Sequence, residues 1–424
     1  MCEYCERCNS SRGITIGESM KINKCANETD LRDCEVYLNK DDNPAIIIFD
    51  NTGMAKGYFE RIGHYDSFVT HKVNGEKYKY DVIARDHGEA IKFVLKQFTD
   101  PKYPVISDLD EITAIGHRIV HGGEKFKEST IVTEEVKKGI EDAITFAPLH
   151  NPAHLQGIKA CEEFLPGKTN VVVFDTAFHQ TIAKERYLYP IPYEYYTKYS
   201  IRKYGFHGTS HKYVANRIAE ILGKPIEDLK IINCHIGQGA SLCAIQDGKS
   251  VDTTMGLTPL GGIAMGSRSG DLDPSVVTYL MDKENMNTSQ MEHMLNKKSG
   301  LLALSGISAD NRDVERAMEQ GDERAILAMK EYDYIIAQYI AKMAVAMNGV
   351  DVITFTAGVG EKGPISRADI CSHLTFMGVE LDPEKNEEKG KEMEISKENS
   401  KVKVWVVPTN EELMIARETL NLVK

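Results

Sequence analysis

Several polar, glycine-rich clusters carry the residues able to do chemistry. Gly116-His117-Arg118-Ile119-Val120-His121-Gly122-Gly123-Glu124 sets an arginine among histidines and glycines. Its guanidinium is a planar fork suited to carboxylate or phosphate oxygens; the alternative is a structural ion pair. The apolar run Asn170 to Phe174 leads straight into Asp175, then Thr176-Ala177-Phe178-His179. An acid there can orient a metal-bound phosphate or an arginine, and can equally cap the next turn. Tyr204-Gly205-Phe206-His207-Gly208-Thr209-Ser210-His211 places His207 beside glycines that permit close backbone approach to a ligand. His235-Ile236-Gly237-Gln238-Gly239-Ala240-Ser241 offers turn N–H groups to phosphate oxygens, although ordinary β-turns have the same pattern. Met265 to Pro274 holds a second arginine, Arg268, in a Gly/Ser loop. Thr356 to Lys362 is a strand-to-glycine-loop junction, and Val407 to Glu412 ends a strand with a carboxylate fit for a metal. Taken together, arginines, histidines, glycine loops and strand-end acids match phosphoryl transfer, which needs positive charge and alignment more than covalent help.

These clusters need strands to deliver them, and ligands of open α/β sheets gather outside the carboxyl ends of strands. The Val- and Ile-rich runs Ile112–Ile115, Asn170–Phe174, Lys230–Asn233, Ala240–Ile245, Val352–Phe355 and Val402–Val407 read as those strands. Asp247-Gly248 reads as a hairpin turn into Lys249–Thr253. From Arg324 to Met347, Ile326, Ala337, Ile340 and Ala344 keep helical spacing and predict one long, largely buried helix. Asp382 to Ser400, dense in Glu and Lys, reads as a solvated helix or loop.

At 424 residues and 42% hydrophobic content the chain predicts two domains with a cleft between them. The net charge of −12 argues against a nucleic-acid or membrane surface, so an anionic substrate must meet a locally positive pocket. No apolar run approaches a membrane span and the N-terminus carries no signal pattern, so a cytoplasmic protein is expected. Cys2, Cys5, Cys8, Cys25 and Cys34 crowd the first stretch, whereas Cys161, Cys234, Cys243 and Cys371 sit among apolar neighbours and read as reduced core residues.

From roughly Glu60 onward the chain resembles the acetate kinase family, on the strength of His117-Arg118-Ile119-Val120-His121-Gly122-Gly123 and Gly266-Ser267-Arg268-Ser269-Gly270-Asp271. The resemblance implies an α/β chain of two related domains of the actin-like ATPase (ribonuclease H-like) fold with an interdomain cleft. It implies an atypical Cys-rich segment at 1–58 replacing the usual first strands, an N-terminal kinase domain of 59–176 plus 413–424, and a nucleotide-binding domain at 177–412. The implied reaction is reversible, Mg²⁺-dependent phosphoryl transfer between ATP and acetate, giving acetyl phosphate and ADP. Arg118 and Arg268 would hold the carboxylate and the phosphoryl, His207 would stabilise the transition state, Asp175 would be the essential acid, and His150 would line the same cleft. Val120, Leu149, Phe206 and Pro259 would form the acyl pocket. ATP would contact His235, Ile236, Gly237, Gln238, Gly239, Asp310, Asn311, Arg312, Gly358, Val359, Gly360, Glu361 and Lys362, and Glu411 would ligate Mg²⁺. A homodimer is also implied, with no nucleic acid or membrane as partner.

The chain departs from the family in two places. Gln238 stands where the family usually has Asn, a change that backbone phosphate contacts can survive. The family also opens with an apolar strand running into Asn-x-Gly-Ser-Ser-Ser-x-Lys, which meets metal and ATP phosphates. No such stretch occurs here: the nearest echo, Asn9-Ser10-Ser11-Arg12-Gly13, follows Cys-rich polar sequence. Residues 1–58 weakly resemble the front half of small cysteine-rich proteins, in which Cys2-x-x-Cys5 would need a second cysteine pair to close a zinc site; only Cys5-x-x-Cys8 follows. A join between reading frames or an alternative gene start is the preferred reading, with Ala45–Phe49 supplying an edge strand. The alternatives are a propionate or butyrate kinase, a catalytically silent nucleotide-binding protein of the same fold, and a zinc-dependent binding module. One preorganised donor is often worth ~10²–10³ in rate. Acetyl phosphate formation from ATP and acetate is therefore expected below ordinary kinase turnover, ~1–100 s⁻¹; a rate inside that range overturns the expectation.

Overall fold

The β-branched runs pair as strands, and in the computed structural model they build two sheets, one in each of two compact units. The structure describes residues 13–18, 45–49, 55–73, 76–102, 105–148 and 150–424. Cys2, Cys5, Cys8, Cys25, Cys34, residues 9–12 and Leu149 lie outside the described residues.

The first unit comprises the described residues up to Phe178 with Gly208–Tyr213 and Asn410–Lys424. Residues 208–213 and 410–412 thus fold with it, whereas the expected division gave all of 177–412 to the second domain. Its sheet uses β1 (Gly13–Glu18), β2 (Ala45–Phe49), β3 (Ala55–Glu60), β4 (Phe68–Val73), β5 (Glu76–Asp81), β6 (Ile112–Ile119), β7 (Thr130–Ile131) and β8 (Thr169–Phe174), in the order β5-β4-β3-β2-β1-β6-β8-β7. The segment expected to replace the first strands therefore supplies β1, β2 and the start of β3. Ile14 and Ile16 alternate with Gly13, Thr15 and Gly17, the period of a strand. Ala45–Phe49, expected at an edge, lies inside the sheet between β1 and β3.

Strand β6 also runs past its expected end at Ile115. It pairs antiparallel with β1 as far as His117 and parallel with β8 through Ile119, so the ladder carries it on through polar His117 and Arg118. Gly116 has a packing reason: a Cβ there would lie 2.5 Å from Thr419 Oγ1 and 2.7 Å from Ile415 Cγ2, so its absence seats the helix Glu411–Val423 directly on β6. Below the strand ends, Ile119, Phe126, Ile140, Ile158, Val172 and Phe174 pack as a core, with Phe126 stacked on Phe174 at 4.7 Å.

The second unit, His179–His207 and Val214–Thr409, carries β9 (Lys230–Ile236), β10 (Ala240–Gln246), β11 (Lys249–Thr253), β12 (Val352–Thr356), β13 (Met393–Glu394) and β14 (Lys403–Val406), in the order β11-β10-β9-β12-β14-β13. Strands β9, β12 and β14 are mutually parallel, so His235, Thr356 and Val407 leave the sheet at the same end. The hairpin between β10 and β11 turns on Asp247 (φ 54°) and Gly248 (φ 71°), the left-handed pair of a type I′ turn. Helix Glu323–Met347, capped by Asp322 onto the Ala325 N–H, buries Ile336, Ala337, Ile340 and Met343 and leaves Leu327, Tyr334 and Val345 exposed. Cys161, Cys234, Cys243 and Cys371 are buried free thiols, and burial pushes Cys371 up to about 12.

The stretch 382–400 is less solvated than its charge implies. Asn386, Ile395, Ser396 and Ser400 are buried. Arg367, fully buried, donates to Asn386 Oδ1 (2.9 Å) and to the carbonyls of Asn386, Glu388 (2.9 Å) and Gly360 (3.0 Å). A guanidinium taken out of water needs such acceptors, and this one folds half of the charged run onto the protein.

Buried Asp333 on helix Glu323–Met347 has its pKa raised well above the ordinary carboxylate range by burial. The folded state keeps a proton that the unfolded chain releases, so this group favours folding at acid pH and costs stability as pH rises toward its folded pKa. Asp333→Asn is expected to raise the midpoint of thermal unfolding at neutral pH, with the gain vanishing below about pH 4. An equal gain at both pH values would contradict a buried neutral acid.

Candidate active site

In the first unit, β6 and β8 run parallel with Arg118 opposite Val173, and Asp175 follows the end of β8. Adjacent parallel strands thus present a guanidinium and a carboxylate side by side. Arg118 Nε donates to Asp175 Oδ1 at 2.8 Å and Nη2 donates to Oδ2, a bidentate pair in which both residues are 4% exposed or less. Glu411, in the first turn of the helix seated on Gly116, brings Oε2 to 3.7 Å from Arg118 Nε. The remaining guanidinium nitrogen, Nη1, is buried with no hydrogen-bond partner among the described residues. An unsatisfied buried donor of this kind is what an anionic ligand would complete.

Neighbouring groups hold this centre without sharing its charge. His117 Nε2 sits 2.7 Å from Asn170 Oδ1, and burial lowers its pKa to about 4. His121, lowered to about 3 by burial, stacks on Phe146 at 5.0 Å. Neutral imidazoles here leave Arg118 as the positive group. Val120 follows β6 and is buried; His150 precedes the helix Asn151–Phe164.

In the second unit the chemistry gathers around Gly239. A Cβ there would lie 3.3 Å from Arg268 Nη1 and 3.6 Å from His207 Nε2, so both tips converge on the bare glycine. His207 adopts the left-handed region (φ 57°, ψ 24°), which costs a non-glycine residue about 1–2 kcal/mol. Its Nδ1 hydrogen-bonds Ser241 Oγ at 2.8 Å and its ring stacks on His235 at 4.1 Å. Arg268 Nη1 reaches the Pro259 carbonyl at 3.4 Å. The Arg268 loop is packed by glycines: a Cβ at Gly270 would meet Gly262 O at 2.6 Å, and one at Gly266 would meet Ala309 O at 2.5 Å and Gln238 Oε1 at 2.7 Å. Gln238, the Arg268 loop and Ser308–Arg312 are therefore neighbours.

Two segments expected at the nucleotide have internal bonding of their own. Gly237 N–H donates to the Gly239 carbonyl within the turn (3.2 Å). Gly358 to Lys362 is a short helix, Ala357–Lys362, not a loop, and Glu361 turns inward. Its carboxylate accepts from Ala357 N–H (2.8 Å), an orphan donor of the helix's first turn, and from Thr409 N–H (3.3 Å). Asn311 is also buried, while Arg312 is exposed and held by Asp310 at 2.7 Å. Ser241, which the motifs gave no role, hydrogen-bonds His207, and His179 joins Ser250 to the Phe206 carbonyl; only the polar character of Ser241 inside an apolar strand signals any of this.

A buried arginine–carboxylate centre in one α/β unit and a histidine–arginine–glycine cluster in the other define a kinase. The chain belongs to the acetokinase family, whose model matches residues 45–417. That match starts ahead of Glu60 and takes in β2. The chain is 59% identical to the acetate kinase of Thermotoga maritima over 374 residues, 88% of this chain and 93% of the relative. It is 55% identical to the acetate kinase of Clostridium acetobutylicum over 376 residues, 88% and 94% of the two chains. The crystal structure of Porphyromonas gingivalis acetate kinase superposes with a TM-score of 0.85 at 43% identity, covering 97% of this chain and 100% of that one. A propionate kinase structure from Francisella tularensis gives 0.82 at 35% identity over the same shares.

Gly208, first residue of its helix, tests how tightly the Asp175 turn is held. Its N–H donates to the Asp175 carbonyl at 3.0 Å, and an added Cβ would lie 2.2 Å from that oxygen. Glycine to alanine in a helix ordinarily stabilises by about 0.5–1 kcal/mol. Gly208→Ala is expected instead to lower the unfolding midpoint and to cut turnover; a raised midpoint with full activity would refute the contact.

Proposed function

We propose that this chain is an acetate kinase, transferring a phosphoryl group reversibly between ATP and acetate with Mg²⁺ to give acetyl phosphate and ADP. The observation that carries the reading is Arg118, paired with Asp175 on one side and keeping a buried, unpartnered Nη1 on another. That is a fork suited to a carboxylate or phosphoryl oxygen. In the forward direction an acetate oxygen bonds to the γ-phosphorus as the bond to the ADP oxygen breaks, and charge spreads over the moving group. Arg118 and Arg268 hold the carboxylate and the phosphoryl, His207 stabilises the developing charge, and Asp175 fixes Arg118 while serving as the site's essential acid. His150 lines the site. Val120, Leu149, Phe206 and Pro259 are assigned to the methyl group, and the segments around Gly239, Arg312 and Val359 to the nucleotide.

The donor set suits Mg²⁺. Asp175 and Glu411 bring two buried carboxylates to the same guanidinium. No group of three or more His, Cys, Asp or Glu able to hold a metal occurs among the described residues. Mg²⁺ characteristically takes one or two carboxylates and completes its shell with water and phosphate oxygens, so Asp175 and Glu411 would hold it. Bound there, it would neutralise phosphate charge. A cytoplasmic homodimer completes the reading; among the described residues no helix is long and apolar enough to cross a membrane. Propionate is the second reading, since one methylene is worth only about 1–3 kcal/mol of discrimination.

Arg118→Lys keeps the charge and loses the fork, and is expected to lower kcat/KM for acetate by about 10²–10³ in an acetyl phosphate assay run with acetate and propionate. Chelating Mg²⁺ should abolish turnover and adding it back should restore it. Near-parental activity of Arg118→Lys on both acids would overturn the assignment, and ATP binding without turnover in the parent chain would favour the silent nucleotide-binding alternative.

A further inference from the structure

His207 holds a backbone conformation that few non-glycine residues adopt, and such strain persists only where the surroundings over-determine it. Its φ is measured against the peptide plane that joins it to Phe206, so whatever fixes the Phe206 carbonyl fixes that angle. The group on that carbonyl is His179, wholly buried, with Nε2 at 2.9 Å from Phe206 O and Nδ1 at 2.8 Å from Ser250 Oγ. A carbonyl can only accept, so Nε2 carries the proton and Nδ1 accepts from the Ser250 hydroxyl. Burial keeps this imidazole neutral, with its pKa lowered to about 4. Its place is made by glycine: a Cβ on Gly205 (φ 77°) would meet His179 Cδ2 at 2.7 Å and Thr253 Cγ2 at 2.5 Å. The ring therefore lies against Gly205, one residue before the carbonyl it binds.

We propose that His179 is a positioning residue, whose Nε2–H locks the Phe206–His207 peptide plane and so aims the His207 imidazole at Ser241 and Gly239. The proposal rests on the reading of His207 as the group that meets the transferring phosphoryl. His179 itself touches neither substrate nor reacting atoms. Its partners fix one tautomer, and that tautomer alone can donate to Phe206 while Ser250 donates to the ring.

A kinetic cycle tests it. His179→Leu removes the donor, and misaiming a catalytic group by about 1 Å can cost ~10² in rate, so kcat is expected to fall by up to that factor. KM for acetate and ATP should stay within about twofold, because binding common to ground and transition states is untouched. His179→Gln, whose amide can reach the same carbonyl, should recover most of the loss. In a His207→Ala background His179→Leu should have no further effect; an equal loss there, or an unchanged kcat in the single variant, overturns the proposal. If His207→Ala alone keeps parental kcat, the catalytic reading of His207 is what falls. The aiming claim is then judged by the imidazole resonances of His207, which must shift in His179→Leu and return in His179→Gln. Should His179→Leu not fold, Ser250→Ala frees the ring proton to move to Nδ1 and must lower kcat in the same pattern; no change would again overturn it.

Discussion

The bidentate bond between Arg118 and Asp175 is the interaction on which the rest of the first unit depends. Both charges are taken out of water, and breaking such a pair by removing one partner typically costs about 3–5 kcal/mol because the survivor is left uncompensated. The fold meets that demand with geometry: the residues lie on neighbouring parallel strands, Arg118 opposite Val173 with Asp175 two residues further on. Glu411 brings a second carboxylate to within 3.7 Å of the same guanidinium, whose Nη1 is buried with no hydrogen-bond partner among the described residues.

The second unit solves a different problem, bringing long polar side chains against backbone without a protein side chain in the way. Gly239 is open toward His207 and Arg268, and Gly266 and Gly270 let the arginine loop fold on itself. His207 is the exception, a side chain held in glycine's territory with its imidazole against Ser241 and His235. The cost of that conformation is carried by neighbours that are themselves buried and bonded.

Much of this was readable from the amino-acid order. Val171 to Phe174 followed by Asp175, and His117-Arg118 between glycines, announce a buried sheet with polar strand ends, because apolar runs of that length have few other uses. The extension of β6 through Arg118 was not readable, since it depends on pairing with β8, distant in sequence, and on the buried Asp175 that meets its charge. The inward turn of Glu361 was not readable, because it depends on Thr409, distant in sequence. The strand at Gly13–Glu18 shows plain alternation, masked by the cysteine-rich composition around it. Asp382 to Ser400 looked solvated because a charge run ordinarily is; one buried arginine on another helix reverses that.

The glycine beneath the C-terminal helix has a consequence for biosynthesis. Arg118 emerges early from the ribosome, but Glu411 arrives only with the helix that Gly116 receives, after nearly the whole second unit has been made. Until then the nascent chain exposes a groove over β6 and a charge pair lacking its third member. The charge cluster around Arg118 is in this way completed only when nearly the whole chain has been made.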